Sequence, residues 1–386
     1  MTDGAGDTWG LLPQGPASSK LGTPTESREK LGLVRRAMQD ADLDAIYLER
    51  WANVAWLCGG RGNRVVLDAP TGACGVLVGH NGAWLLTPNN EEARCRAEGF
   101  AGLDLPVVAH PWHRLPLWRA AMPLLPAGAR LAADVDVDGA TPAEGLLAPL
   151  RQRLADPDIG RFRALGRDSA EALEAAVMAA RPDWSEIEVA GTIAAALKAR
   201  GIEGAVVLVG CRARAQRFRH LVPTEAIVAG GFTASITATR QGLHASSTRG
   251  LSFGPLPPQL AEAFAAIREV DRAFLGASRP GALMGALLET GGEAYARQGY
   301  YDEWKEHHQG GTTGYAGREA FAEPGSDYRL EVGMAVAWNP TLPGAKSEDT
   351  FLVSPEGLEW LTRAEGSDWP LDEAHGNLPR TVPREV

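Results

Sequence analysis

Apolar runs of strand length alternate with amphipathic helical segments along most of this chain, and the alternation limits the fold to a mixed helix-and-sheet architecture. A helix is predicted to start near Thr25, where apolar residues begin to recur with helical spacing. The apolar runs 75–79 and 83–87 flank an Asn-Gly pair, which is typical of a β-hairpin turn. We therefore expect an α/β domain over residues 23–150.

A second block with a different pattern follows a charged connection at residues 151–165. Ser185 and Glu188 form an S-x-x-E capping box, which predicts a helix over 189–199. The predicted strands are 205–209, 226–238, 334–338 and 350–353, and the predicted helices are 259–276 and 281–297. The block is expected to form an α+β domain over residues 160–366.

Both ends of the chain are predicted to be tails. Residues 1–22 are rich in Gly, Pro and Ser, which predicts a flexible N-terminal tail. Residues 367–386 are Pro-rich and charged, and we expect them to form a loose C-terminal tail. Neither end is predicted to contribute to a domain.

Composition and charge exclude several classes of partner. Of the 386 residues, 45% are hydrophobic and 22% are charged, which is typical of a soluble globular chain with two domains. The net charge of −10 argues against a nucleic-acid or anionic-membrane partner, since both need clustered Lys and Arg. The four cysteines are scattered without a CxxC pair, so we expect reduced thiols and a cytoplasmic location.

Six segments resemble, in order and spacing, motifs of the creatinase/prolidase/aminopeptidase P superfamily, family M24. They are 50–60 (RWANVAWLCGG, similar to a family strand), 184–190 (WSEIEVA), 220–224 (HLVPT), 307–314 (HHQGGTTG), 333–336 (GMAV) and 346–353 (KSEDTFLV). The resemblance implies a smaller α/β creatinase-type N-terminal domain followed by a pita-bread C-terminal catalytic-type domain. It also implies a homodimer in which the N-terminal domain of one subunit closes the pocket of the other.

Most of the family's metal-ligand positions are occupied here by other residues. The family site uses two Asp, one His and two Glu, and these positions fall on Ser235, Ser246, Gly311, Asn339 and Glu348. Only Glu348 keeps a family ligand, and the stretch 226–250 contains no Asp. Because hydroxyls and an amide are weak neutral ligands, one carboxylate should not hold two divalent ions. We therefore expect a metal-ligand-deficient, creatinase-like member without a metal or other cofactor.

The resemblance also implies which residues carry the chemistry. Creatinase works without metal by using a histidine as acid and base, and His220 stands at the position of that histidine. Glu348 matches a carboxylate that binds a cationic group, and His307 matches a pocket histidine near the scissile group. The expected substrate-binding residues are Arg318, Asn339, Ser235, Ser246, Arg61 and Arg64, with Arg61 and Arg64 reaching the pocket of a partner subunit. An arginine at position 318 suits a substrate carboxylate.

The residues alone leave other interpretations open. His220 follows a basic loop, residues 212–219, and is equally compatible with a surface position. Glu348 is compatible with a structural carboxylate in an ion-pair network. Cys211 and His220 would suit a thiol–imidazole pair, but a buried Cys at a strand end is the commoner case.

Three functions are consistent with these observations. The first is a metal-independent hydrolase or lyase that cleaves a C–N bond of amide or amidine type in a small polar substrate. The Ala-, Gly- and Arg-rich composition suggests a tailoring step in bacterial specialised metabolism. The second is a catalytically inactive pita-bread module that binds a peptide or small ligand. The third is a metal-dependent Xaa-Pro peptidase, which the missing aspartates disfavour.

Overall fold

The computed structural model describes residues 20–114, 116–373 and 378–386. The described residues fall into two compact units, one made of 20–161 and 241–243 and the other of 162–240 and 244–386. The flexible tail predicted for residues 1–22 lies outside the described residues up to position 19.

The first unit is built on one six-stranded sheet. Its helices are α1 (Pro24–Asp40), α2 (Trp51–Leu57), α3 (Glu92–Arg94) and α4 (Glu144–Gln152). Its strands are β1 (Ala45–Arg50), β2 (Thr71–Gly79), β3 (Ala83–Pro88), β4 (Val107–His110), β5 (Leu131–Ala133) and β6 (Thr141–Pro142). The strand order β4-β3-β2-β1-β5-β6 mixes parallel and antiparallel pairs, so this unit is α/β as expected.

The first helix and the hairpin agree with the sequence signals. The hydroxyl of Thr23 accepts a hydrogen bond from the backbone N–H of Glu26 at 3.2 Å, which caps α1. Pro24 occupies the first turn, where its missing N–H costs nothing. The predicted hairpin is β2–β3, with Val78 opposite Ala83 beside the turn.

The segment 50–60, which resembled a family strand, is helical over α2, so the expectation of a strand there is wrong. The Asp134 carboxylate accepts hydrogen bonds from the backbone N–H groups of Glu49 at 2.8 Å and Arg50 at 3.1 Å. It also accepts from the Asn53 side chain at 2.9 Å. These bonds satisfy the N–H groups where the strand ends, and they favour a helix start at Trp51.

The second unit carries the remaining elements. The helices are α5 (Asp156–Met178, which begins among residues of the first unit), α6 (Glu186–Lys198), α7 (Arg212–Ala215), α8 (Pro258–Ala277) and α9 (Met284–Arg297). The strands are β7 (Glu203–Cys211), β8 (Gly231–Arg240), β9 (Leu243–Ser252), β10 (Gly310–Thr313), β11 (Ala320–Phe321), β12 (Ala335–Trp338), β13 (Thr341–Leu342), β14 (Ala345–Lys346), β15 (Asp349–Ser354), β16 (Gly357–Trp360), β17 (Leu371–Asp372), β18 (Arg380–Thr381) and β19 (Arg384–Glu385). Two sheets dominate, in the orders β19-β9-β8-β7 and β11-β10-β12-β15-β16.

The helices of the second unit test two local predictions. The capping box is confirmed, because Ser185 and Glu188 exchange side-chain and backbone hydrogen bonds at the start of α6. The predicted connection over 151–165 is wrong from residue 156 onward, where the chain is already α5. Asp158 accepts a hydrogen bond from the backbone N–H of Ala155 at 3.2 Å, and an acidic first turn suits the helix dipole.

The prediction of a loose tail over 367–386 is wrong for the described part of that segment. The last strand, β19, pairs in parallel with β9. Arg380 is fully buried, and its guanidinium donates to Asp271 at 2.7 Å and to Asp349 at 3.0 Å. The guanidinium also lies over the rings of Phe351 and Trp360. Two buried carboxylates therefore hold the C-terminal segment against the core.

The core of the second unit lies between α8, α9 and the sheet that contains β12 and β15. Phe274 of α8 stacks on Trp338 of β12 with ring centroids 4.5 Å apart. Within the described ranges, every helix is too short or too polar to traverse a bilayer.

Replacing Arg380 with methionine is expected to lower the free energy of unfolding by about 3–5 kcal/mol, because Asp271 would stay buried after losing the charge of Arg380, and Asp349 would keep only its pair with Arg249. Urea unfolding followed by circular dichroism measures the change. The control is Arg384→Met, which removes only a solvent-screened pair with Asp368 and should change stability little. Equal losses in both variants would contradict the role assigned to Arg380.

Candidate active site

The second unit contains a cavity of about 590 Å³, a size that suits a small-molecule substrate. One part of its wall is apolar and is formed by Ala205, Val206, Leu208, Val222 and Ile236. The rest of the wall is largely polar and includes His220, Ser235, Thr237, His244, His308, Arg318, Asn339, Lys346 and Glu348. The cavity therefore combines apolar surface with several groups that can bind or transfer protons.

Two neighbouring strands line the base of this cavity with hydroxyl groups. Ser235 and Thr237 lie two residues apart on β8, so they face the same side of the sheet. Ser235 Oγ lies 2.7 Å from Thr248 Oγ1, and Thr237 Oγ1 lies 2.9 Å from Ser246 Oγ. Hydroxyl pairs thus cross between β8 and β9 at Ser235 and Ser246, the two positions that the resemblance assigns to aspartate ligands.

Glu348 is the carboxylate that lines this cavity, and its negative charge is paired with two cationic side chains of the same chain. It is 4% exposed; Lys346 Nζ lies 2.8 Å from one carboxylate oxygen, and Arg318 Nη2 lies 3.4 Å from the other. Thr248 Oγ1 donates a further hydrogen bond to Glu348 at 3.1 Å. Burial raises the pKa of Glu348, but the charges of Lys346 and Arg318 outweigh burial and lower this pKa below its usual value. The group is therefore ionised at neutral pH and held by two cations.

Two polar atoms of the lining retain unused hydrogen-bonding capacity. Arg318 donates through Nη1 to the carbonyl oxygen of Gly317 at 2.9 Å, whereas its Nε has no partner among the described residues. The side-chain oxygen of Asn339 likewise has no partner in the described part of the chain. Buried polar atoms are normally satisfied, so both are suited to bind a polar ligand.

Three histidines converge beside the cavity. His307 Nε2 lies 3.2 Å from His220 Nε2. The rings of His307 and His308 stack with centroids 4.3 Å apart, and His308 packs edge-on against Phe321 at 5.2 Å. His307 is buried, whereas His220 and His308 are exposed. The cluster thus links the interior of the unit to solvent.

Burial and nearby positive charge keep two of these rings neutral. Burial lowers the pKa of His307 to about 3, and the charge of Lys346 adds to the effect. Burial also lowers the pKa of His308 to about 4, and the charge of Arg318 adds to the effect. Both imidazoles are therefore unprotonated at neutral pH.

The structure brings together most of the residues that the resemblance selected. His220, Ser235, Arg318, Asn339 and Glu348 line the cavity, and His307 contacts His220. The sequence analysis missed four further polar lining residues: Thr237, His244, His308 and Lys346. The adjacent His-His pair at 307–308 was the available signal for His308.

Ser246 does not line the cavity, so the expectation that it binds substrate is not supported. Its side chain is fully buried and bonded to Thr237 at 2.9 Å. Its backbone N–H donates to Thr350 Oγ1 at 2.8 Å, and its carbonyl oxygen accepts from that same hydroxyl at 2.9 Å. Ser246 therefore joins β9 to β15 behind the cavity wall.

Arg61 and Arg64 belong to the first unit and have local partners. Arg61 is 8% exposed and donates to the carbonyl oxygens of Gly22 at 2.5 Å and Ala101 at 3.3 Å. The Arg64 guanidinium lies over the Trp51 ring, 4.3 Å from its centroid. These contacts indicate a structural role for Arg61, and a contact with a partner subunit stays a prediction for both arginines.

The residues at the positions that the resemblance assigns to the family's metal ligands do not fit a carboxylate-bridged metal pair. Of these positions only Glu348 offers a charged oxygen, and that group is ion-paired with Lys346 and Arg318. At Gly311 the backbone itself leaves no room for a ligand side chain, because a Cβ would lie 2.0 Å from the carbonyl oxygen of Ala320. The φ of Gly311 is 154°, which further disfavours any other residue.

Comparisons with known proteins agree with this fold. The model of the creatinase/prolidase N-terminal domain matches residues 30–155, and the model of metallopeptidase family M24 matches residues 160–355. No curated protein matches the chain at a significant level.

Solved structures with the same fold include a dipeptidase, a prolidase and a domain of a FACT complex subunit. Dipeptidase PepE from Mycobacterium ulcerans is 20% identical with a TM-score of 0.73, over 89% of this chain and 97% of that one. The prolidase from Pyrococcus horikoshii is 18% identical with a TM-score of 0.74, over 87% and 99%. The N-terminal domain of a FACT complex subunit from chickpea is 10% identical with a TM-score of 0.66, over 88% and 96%.

These matches confirm the predicted family resemblance and the predicted α+β architecture. The family M24 model alone covers half of the chain, and the N-terminal domain model covers most of the region that precedes it. The chain therefore belongs to metallopeptidase family M24, with a creatinase/prolidase-type N-terminal domain ahead of a pita-bread domain.

Proposed function

We propose that this family M24 protein is a metal-independent, creatinase-like hydrolase that cleaves a C–N bond in a small substrate carrying an anionic group. The observation that carries the proposal is the pairing of Glu348 with Lys346 and Arg318 in a cavity that also presents His220. The family carboxylate is thereby unavailable to a metal pair, while a proton-transfer group faces the substrate space.

The charges of the cavity favour an anionic substrate group. Lys346 and Arg318 contribute two positive charges and Glu348 contributes one negative charge, which leaves a net charge of +1 among the three. The unpartnered Nε of Arg318 adds a directed donor. A guanidinium binds a carboxylate through parallel N–H donors, so Arg318 is the proposed anchor. In this arrangement Glu348 positions the two cations.

The histidine pair supplies the proton transfers. His220 removes a proton from a water molecule as the water oxygen attacks the carbon of an amide or amidine group. The C–N bond then breaks, and His220 returns the proton to the leaving nitrogen, which departs as an amine. His307, neutral and 3.2 Å away, orients the His220 ring through a nitrogen-to-nitrogen hydrogen bond. The free side-chain oxygen of Asn339 accepts a hydrogen bond from a substrate N–H.

The proposal also covers the oligomeric state and the metabolic setting of the protein. Val65, Val66 and Leu67 are 57%, 58% and 50% exposed in the loop that follows Arg64, and a run of exposed apolar residues suits a subunit interface. We therefore include a cytoplasmic homodimer in which the first unit of one subunit closes the cavity of the other. A tailoring step in bacterial specialised metabolism is the proposed setting.

Replacing His220 with alanine is expected to lower turnover at least about a hundredfold, because the variant lacks the proposed acid and base. Turnover is measured on a panel of N-acyl and amidino carboxylic acids, and product formed in H₂¹⁸O reports whether water enters the product. His220 is exposed, so the melting temperature should stay at the wild-type value.

The control for this measurement is His80→Ala, which alters an exposed histidine outside the cavity and should turn over like the wild type. Wild-type turnover by His220→Ala would remove His220 from the mechanism. A product without ¹⁸O would replace hydrolysis with elimination, in which His220 would act on a C–H group.

Replacing Arg318 with methionine is expected to raise KM about 10- to 100-fold with a smaller effect on kcat, because a charge-assisted hydrogen bond to the substrate anion is lost. The neutral primary-amide analogue of the best substrate is the matched control, since it lacks the anion. Wild type and variant should differ little on that analogue. A similar KM increase for both compounds would mean that Arg318 does not bind the anionic group of the substrate.

Removal of metal tests the proposed independence directly. Protein treated with EDTA and then desalted should keep full turnover with less than about a tenth of an equivalent of Mn, Fe, Co or Zn, because the lining offers too few anionic ligands. Plasma mass spectrometry measures the residual metal in the same sample. Turnover that disappears with EDTA and returns with Mn²⁺ would restore the peptidase interpretation, and Xaa-Pro dipeptides would then be the substrates to test.

A binding module is the second candidate, and one specific observation favours it. The chickpea FACT subunit domain has this fold over 88% of the present chain. Absence of turnover on every compound, together with saturable binding of one of them, would favour this candidate over the hydrolase.

A further inference from the structure

We propose that His220, His307 and His308 form a binding site for one borderline divalent cation, of which Zn²⁺ is the type, and that occupancy of this site blocks turnover. The site is distinct from the positions that resemble the family's metal ligands, because those positions fall on other residues. The inhibitory half of this proposal rests on the proposed function, whereas the binding half stands on the geometry of the three rings.

The ring nitrogens are already close to the separation that a metal ion requires. One nitrogen from each histidine lies within 4.8 Å of the other two, and His220 Nε2 and His307 Nε2 are 3.2 Å apart. Two nitrogen ligands of a tetrahedral Zn²⁺ with bonds of about 2.0–2.1 Å are separated by about 3.4 Å. The His220–His307 pair therefore needs almost no change, and the exposed His308 side chain needs a small rotation.

The surroundings permit that adjustment and leave a coordination position open. His307 is the buried member, and its Nδ1 has no hydrogen-bond partner among the described residues, so no protein acceptor opposes a small turn of the ring. His220 and His308 are exposed, so the side of the cluster opposite His307 faces solvent. Three imidazoles and one open position form a donor set typical of Zn²⁺, Cu²⁺ and Ni²⁺.

The nearby charges set the selectivity of such a site. Lys346 and Arg318 disfavour a dication, but both are paired with Glu348, which offsets part of their charge. A hard cation that depends on anionic oxygens gains little here, whereas the imidazole nitrogens favour the later transition metals. We therefore expect Zn²⁺ to bind much more tightly than Mg²⁺ or Mn²⁺.

Binding at this cluster would remove the base that the proposed mechanism needs. A neutral imidazole has only one unprotonated nitrogen. When His220 coordinates Zn²⁺ through Nε2, its ring proton lies on Nδ1, so the ring has no lone pair left to accept a proton from water. We assign His220 Nε2 to the proposed site, because this atom lies 3.2 Å from His307 Nε2. The cation would therefore act as an inhibitor of hydrolysis.

Calorimetric titration of the full-length, chelator-stripped protein with Zn²⁺ tests the site, and a parallel titration with Co²⁺ reports coordination through its visible absorption. We expect one equivalent to bind. His308→Ala should lower the Zn²⁺ affinity at least about tenfold, and His307→Gln should do so independently. The matched control is His244→Gln, which changes a histidine of the same cavity outside the cluster and should leave the affinity unchanged.

Two binding results would overturn the proposed site. The first is the absence of Zn²⁺ binding by the wild type. The second is binding that survives His308→Ala and His307→Gln but disappears in Glu348→Gln, which would place the ion on the carboxylate.

Turnover measured across the same Zn²⁺ range separates this inference from the proposed function. Inhibition that follows the binding curve supports both. Binding accompanied by higher turnover would keep the site and overturn the metal-independent function. If no substrate is found, the proposed function fails, while the calorimetric result still decides whether the three histidines bind the cation.

Discussion

A buried charge cluster around Asp349 organises the second unit. One carboxylate oxygen of Asp349 lies 3.0 Å from Arg249 and the other lies 3.0 Å from Arg380, and all three side chains are at most 1% exposed. The cluster joins β9, β15 and β18, which are far apart in the sequence. Asp349 is turned toward these arginines, whereas its neighbour Glu348 lines the cavity. Pairing of charges in the interior thus fixes where the carboxylate of the site points.

Local signals predicted the elements whose start or turn is encoded by adjacent residues, such as the capping box of α6 and the hairpin β2–β3. The strand β9 was not predicted, because several of its inward-facing residues are hydroxyl-bearing rather than apolar. Its Ser246 and Thr248 bond to Thr237 and Ser235 of β8, so the alternation of apolar residues is absent. The start of α2 depends on Asp134, which accepts a hydrogen bond from the backbone N–H of Arg50. Asp134 is far from Arg50 in the sequence, so only the folded unit brings the two together.

The candidate site was predictable where a family motif supplied a position and unpredictable where it supplied none. His220, Arg318, Asn339 and Glu348 meet at one cavity, as the resemblance implied. Lys346 precedes Glu348 by two residues, yet its role depends on a 2.8 Å contact that no spacing rule predicts. Glu348 was expected to bind a cationic group of the substrate. Its negative charge is instead paired with Lys346 and Arg318 of the same chain, which the sequence did not indicate.

The close approach of Gly311 to Ala320 has a consequence for how this site could change over time. A carboxylate or imidazole can be introduced at Ser235 or Asn339 by the exchange of one side chain for another. A side chain at Gly311 cannot be accommodated until the pairing of β10 with β11 shifts, since the carbonyl oxygen of Ala320 fills the required volume. The backbone therefore restricts the chemistry that single substitutions can give this cavity: new side chains fit at Ser235 and Asn339, whereas one at Gly311 requires a change in strand pairing.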